Sequence, residues 1–144
     1  MTQPSTQLNR MSLVVFSGTV DKLTAVATLA TGAAAMGMEV DLFLTFWGLE
    51  AFKKDANGSV PLVSAEFAEM GPMMRDIMQT KRVPHWLDTL RGAREIGELK
   101  VYACSATMEM FDHKLEDLED IVDEVTGAAS FIERARDSKI TLFI

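Results

Sequence analysis

Cysteine is nearly absent. Cys104 is the one thiol in 144 residues. That excludes an internal disulfide and any metal cluster built on several thiolates. It also excludes a peroxidase cycle that resolves through a second cysteine of the same chain. A basic excess is missing as well. The 14 Lys and Arg residues are outnumbered by 21 Asp and Glu, giving a net charge of −7. No basic run exceeds a pair, so nucleic acid and anionic membrane surfaces are poor partners. Long apolar runs are missing too. The longest uncharged stretch, Leu23 to Met38, falls short of the ~20 residues a helical span requires. It is rich in Ala, Gly and Thr and reads as a buried helix. No secretory leader is recognisable at the start, and with a single cysteine this sets the expectation of a cytoplasmic protein. Ser17-Gly18-Thr19 is neither a GxGxxG turn nor a P-loop, so nucleotide phosphate binding has no motif to rest on.

What is present is ordinary for a globular chain: 48% hydrophobic and 24% charged residues. Residues 1–10 are polar and contain Pro4, which predicts a disordered tail ahead of a single domain over 11–144. Ser12 to Phe16 is a short apolar run of the kind a buried parallel strand shows. Apolar and small residues then recur at helical spacing from Lys22 to Gly37. Glu39 to Phe46 reads as a second strand, ended by Trp47-Gly48, with a helical turn or two over Leu49 to Lys54. Met70, Met73, Met74, Ile77 and Met78 form an apolar stripe on a helix beginning near Pro72. That stripe suits core, a cover over the sheet's end, or a subunit contact.

Pro84 opens a further helix to about Glu98, with Leu87, Leu90, Ala93 and Ile96 inward. Leu99 to Ala103 reads as a strand, and Ser105 as the N-cap of a helix over Ala106 to Phe111. A short strand is expected at Ile121-Val122. A helix follows over Gly127 to Asp137 with Phe131 and Ile132 inward, and a last strand over Ile140 to Ile144. Strands alternating with helices predict a parallel sheet covered on both faces.

Cys104 therefore sits where a strand hands over to a helix, the side of an open α/β sheet on which ligands bind. Backbone N–H groups there favour a thiolate. Free cysteines are also commonly buried and inert, so the residues alone leave both readings open. His85 and His113 show no spacing to Cys104 that selects a nucleophile pair, and both read as solvent-exposed. Asp112, His113, Glu116 and Asp117 read as a solvated acidic face rather than a metal site. No cofactor is expected.

Four stretches together resemble the DsrE/DsrF-like family of small sulfur-trafficking proteins, closest to its single-chain branch. They are Thr31-Gly32-Ala33-Ala34-Ala35-Met36-Gly37-Met38 with Asp21-Lys22 before it; Phe43-Leu44-Thr45-Phe46-Trp47-Gly48-Leu49; Val101-Tyr102-Ala103-Cys104-Ser105-Ala106-Thr107-Met108; and Leu142-Phe143-Ile144. The resemblance implies a three-layer α/β/α sandwich on a five-stranded parallel sheet and homo- or hetero-oligomers, with a homo-oligomer, dimer or trimer, expected here. It implies that Cys104 carries sulfane sulfur as a persulfide, as a sulfurtransferase or carrier between a donor and an acceptor thiol. Ser105, Thr107 and Met108 would then support the cysteine, with Thr45, Trp47 and Met74 as candidate pocket walls. The contrasting expectation is an oligomeric scaffold or small-molecule-binding module of the same fold with an inert cysteine.

Overall fold

The computed structural model describes residues 7–56 and 59–144. Along the chain run β1 (Leu8–Val15), α1 (Val20–Ala35), β2 (Glu39–Leu44), α2 (Phe46–Glu50), a 3-10 segment (Ala65–Met70), α3 (Gly71–Thr80), α4 (Trp86–Ile96), β3 (Leu99–Cys104), α5 (Ser105–Met110), β4 (Glu124–Thr126), α6 (Ala128–Ala135) and β5 (Ser138–Phe143). The five strands form one sheet in the order β4-β3-β2-β1-β5. Every pairing is parallel.

Alternation along the strands sorts the side chains into two layers. Leu13 and Val15 of β1, Val40, Leu42 and Leu44 of β2, and Val101 and Ala103 of β3 face α1 and α4 in the main core. Each fully buried Leu or Val there contributes about 1.5–3 kcal/mol. The small residues of α1 set its packing. Ala27, Ala30, Ala33 and Ala34 are buried, and a Cβ on Gly97 would stand 3.0 Å from that of Ala34. The other face carries Phe43, Tyr102 and Cys104, covered by Phe131 of α6 in a smaller cluster. This is the expected α/β/α arrangement, with one layer much thinner than the other.

Several local expectations are corrected. Leu8 to Arg10 belong to β1, not to a disordered tail; residues 1–6 lie outside the described part. Arg10 is buried because its guanidinium donates to the Glu39 carboxylate at 2.7 and 3.0 Å and to the Arg134 carbonyl at 2.9 Å. Ile121 and Val122 are buried loop residues, and β4 starts only after Asp123. The Asp123 carboxylate accepts from the Val101 amide at 2.8 Å and from Arg94 at 2.7 Å. That capping holds the two apolar side chains in the core ahead of the ladder.

Ile96 and Ile132 are exposed at 58% and 65% rather than inward. On α6 only Phe131 is buried, and the next residue turns away. The apolar stripe of α3 does form, with Pro72 in the first turn. It is not core, since Met70, Met73 and Ile77 are each about half exposed.

Candidate functional site

Cys104 is the last residue of β3 and itself the N-cap of α5, with φ −64° and ψ 119°. Ser105, expected as that cap, is instead the first helical residue and is exposed. An extended cap residue must precede the first helical turn. The strand's own terminal residue already has that conformation, so the cap falls one position earlier. The thiol is 6% exposed and packs with Phe43, Tyr102 and Phe131.

Thr107 lies one turn into α5 and is 1% exposed. Its Oγ1 stands 3.1 Å from Oγ1 of Thr45 and accepts from the Phe46 amide at 3.2 Å. Thr45 follows β2 and is the N-cap residue of α2. Phe46, immediately after it, has φ +48°, a left-handed conformation that is strained for an aromatic residue. Two glycines let these turns close. A Cβ on Gly48 would lie 2.2 Å from the Val15 carbonyl oxygen, and one on Gly18 would lie 2.3 Å from that of Trp47.

The electrostatics of Cys104 follow from this packing. Burial pushes the thiol up. The Thr107 amide, its hydroxyl, the Thr45 hydroxyl and the Ala106 amide pull it down, and together they win: the thiol lies below its ordinary value of 9.0. α5 has only six residues, so these are individual donors at short range rather than the field of a long helix.

Cys104, Thr107 and Thr45 therefore converge. Ser105 lies alongside, its Oγ 3.8 Å from where a Gly127 Cβ would stand. Met108 is buried in the main core, on the other layer from the thiol. Trp47 is 56% exposed and lines a cavity of about 420 Å³ with Gly18, Glu50 and Val60, of which Cys104 is not a wall. Met74 is half-buried on α3 and is not among the apolar side chains packed around the sulfur.

The side chains that do surround it, Phe43 and Tyr102, are not among the residues the sequence points to. Their signal is strand alternation, since positions 102 and 104 must share a face. His85 is exposed as expected, whereas His113 is largely buried and pairs with Glu50. That pairing gives the ring a carboxylate partner inside the fold. Among the described residues, no three His, Cys, Asp or Glu side chains gather as a metal site, and no helix is long and apolar enough to cross a membrane.

Comparison with known proteins gives a consistent set. The family profile described as DsrE/DsrF/DrsH-like matches residues 7–72 and 57–143. The protein YrkE of Bacillus subtilis is 31% identical, across 96% of this chain and 98% of its own. The sulfur carrier protein DsrE2 of Allochromatium vinosum is 30% identical, across 94% of this chain and 98% of its own. A solved structure of a protein of unknown function from Methanobacterium thermoautotrophicum superposes with a TM-score of 0.57. It has 12% identity and covers 94% of this chain and 98% of the other, a likeness of fold alone.

Proposed function

The chain belongs to the DsrE/DsrF/DrsH-like family, and from that premise we propose that it is a sulfur carrier whose cargo is held on Cys104. The supporting observation is the place of Cys104 at the N-cap of α5, where the Thr107 and Ala106 amides and the bonded Thr45–Thr107 hydroxyl pair hold the thiol below its ordinary value. In the loading step the Cys104 thiolate attacks the outer sulfur of a donor persulfide. A new S–S bond forms to Cys104, the donor's S–S bond breaks, and the donor leaves as a thiolate with the electron pair. The proton stays on the transferred sulfur, so Cys104–SSH results with no net oxidation. In the unloading step an acceptor thiolate attacks that outer sulfur and Cys104 departs as thiolate. The same donors that favour the free thiolate also favour it as leaving group. With no second cysteine in the chain, the acceptor must be a partner protein or small thiol. This chemistry belongs in a reducing compartment, consistent with a cytoplasmic location.

A homo-oligomer, dimer or trimer, fits the exposed apolar side chains near the same edge. Phe143 is 69% exposed, and Trp47 and Met110 are each 56% exposed. Phe16 stacks on Phe143 at 5.7 Å and meets Phe46 tilted at 5.4 Å.

One observation favours a second reading. Cys104 is 6% exposed among three aromatic rings, as an inert cysteine of a scaffold or binding module would be. Incubation with glutathione persulfide followed by intact mass measurement separates the two. The carrier gains one sulfur atom, reversibly with a thiol, and Cys104→Ala gains none. Equal gain in both proteins, or none in either, sinks the carrier reading.

A further inference from the structure

A cavity of about 420 Å³ shares the sheet face of Cys104. It opens between β3, β4 and α6, with Tyr102, Glu124, Thr126, Ser130, Phe131 and Arg134 in its walls. That volume is within the ordinary range for small-molecule sites. Tyr102 and Cys104 are two residues apart on β3, so their side chains leave one face of the sheet about 6–7 Å apart along the strand. Phe131 lines the cavity and also packs in the cluster that holds the sulfur. Thr126 is the β4 partner of Cys104 in the ladder.

The polar groups in these walls are not all spent. Tyr102 is 7% exposed, and its hydroxyl has no hydrogen-bond partner among the described residues. The only sealed side-chain polar atom without a partner there is the Trp86 indole nitrogen, so the Tyr102 hydroxyl is open to the cavity it lines. Burial, with the Asp41 and Glu124 carboxylates, pushes the phenol above its ordinary 10.0 against the pull of Arg134. It therefore stays a hydrogen-bond donor at neutral pH. Arg134 stands over the ring, 5.6 Å from its centroid. Its Nε and Nη2 face Asp41 at 2.6 and 3.5 Å, which leaves Nη1 uncommitted among the described residues. Glu133 and Asp137, also in the wall, lie beside Arg136 at 3.2 and 4.0 Å. Glu124 is exposed and has no ion pair among the described residues. One volume thus offers a cationic edge, an unpaired carboxylate and the hydroxyls of Tyr102, Thr126 and Ser130. That set matches a molecule carrying both charges better than a simple anion or cation.

We propose that this cavity is the docking subsite for a small zwitterionic thiol, an amino acid or short peptide. Its carboxylate lies at Arg134 and the Tyr102 hydroxyl, its ammonium at Glu124, and its sulfur is directed past Phe131 to Cys104. The inference names a class of donor or acceptor for the carrier, and its part in sulfur exchange rests on that reading.

Tyr102 is the one tyrosine of the chain, so carbon-13 labelling of tyrosine reads the site directly by NMR. The probes are S-methylcysteine and S-methylglutathione, which carry both charges and no transferable sulfur. N-acetyl-S-methylcysteine is the control without the ammonium, and S-methylcysteine methyl ester the control without the carboxylate. At least one probe shifts the Tyr102 signal saturably, and both controls bind about tenfold more weakly than S-methylcysteine, the scale of one lost charge-assisted hydrogen bond. Glu124→Gln, at an exposed position, weakens the probe by a similar factor and abolishes its advantage over the N-acetyl control. Tyr102→Phe keeps the ring, removes the hydroxyl and weakens binding several-fold by calorimetry. No saturable shift with either probe, controls that bind as tightly as S-methylcysteine, or unchanged affinity in Glu124→Gln overturns the proposal. If glutathione persulfide loads Cys104 while neither probe binds, the subsite falls and the carrier stands. If the probes bind while Cys104 gains no sulfur, the carrier falls and takes with it the subsite's part in exchange.

Discussion

Thr45 and Thr107 join hydroxyls at 3.1 Å across 62 residues of chain, and this contact ties the end of β2 to the first turn after Cys104. One hydroxyl spends its single proton on the other, so the pair leaves one hydroxyl donor for the thiol, and Thr107 accepts the Phe46 amide at a strained backbone position. Thr107→Val keeps the shape and removes the hydroxyl. The Phe46 amide then loses its acceptor, at a cost of about 1–2 kcal/mol in urea denaturation. The Cys104 thiol loses a donor, so its alkylation profile moves to higher pH and the rate at neutral pH falls several-fold. An unchanged profile would show that the hydroxyl does not act on the sulfur.

The depressed Cys104 thiol also makes stability depend on pH in a definite sense. Its pKa in the fold lies below the unfolded value near 9.0. Below the folded pKa both states hold the proton and the group contributes nothing. Between the two values the folded protein releases its proton first, so stability rises with pH. Above the unfolded value the contribution is complete, and it is lost again as pH falls through the folded pKa. The stability gap between the native protein and Cys104→Ala therefore widens in favour of the native protein from neutral to alkaline pH. A gap that is flat or narrows would contradict the donor geometry.

The sheet was legible because its strands are short apolar runs separated by helical periodicity. Leu13, Leu42 and Val101 each sit in such a run, and all three are buried in the main core. The cysteine's place at a strand end was legible for the same reason. The start of β1 was not. Arg10 looks like a tail residue until Glu39 folds beside it, and that partner is 29 positions away. Nor could periodicity show that Trp47 and Met74 would stand clear of the sulfur. Which way a residue on a short connecting helix faces is decided by packing, not by local pattern. The pairing of Thr45 with Thr107 had no local signal either, because Thr is a common cap residue wherever a helix begins.

Two glycines of similar appearance in the sequence make opposite predictions. A Cβ on Gly48 would lie 2.2 Å from the backbone oxygen of Val15, and backbone cannot move aside without disturbing β1. Gly48→Ala therefore destabilises by about 2–3 kcal/mol, at the upper end of overpacking costs. Gly32 lies inside α1 with nothing within 4 Å of its Cβ position. Gly32→Ala stabilises by about 0.5–1 kcal/mol through helix propensity. Thermal melts of the two variants check both signs together.

α6 is held on the thin face of the sheet by one buried carboxylate. Asp41 is 1% exposed and accepts from Arg134 at 2.6 Å, with Arg10 3.5 Å from the same oxygen. Phe131 stacks on Phe43 at 4.6 Å within the same layer, over the cluster that holds Cys104. Asp41→Ala takes the carboxylate from Arg134 while Arg10 keeps Glu39, and costs about 1–2 kcal/mol. Arg134→Met leaves the buried Asp41 carboxylate with Arg10 alone at 3.5 Å; about 1–3 kcal/mol is expected. Its informative effect is on access. With α6 less firmly held, the Cys104 face opens more often, and alkylation at a pH where the thiol is fully ionised speeds up. Faster alkylation in Arg134→Met with an unshifted pH midpoint identifies α6 as the cover over the sulfur. An unchanged rate would mean that reagents reach Cys104 by another route.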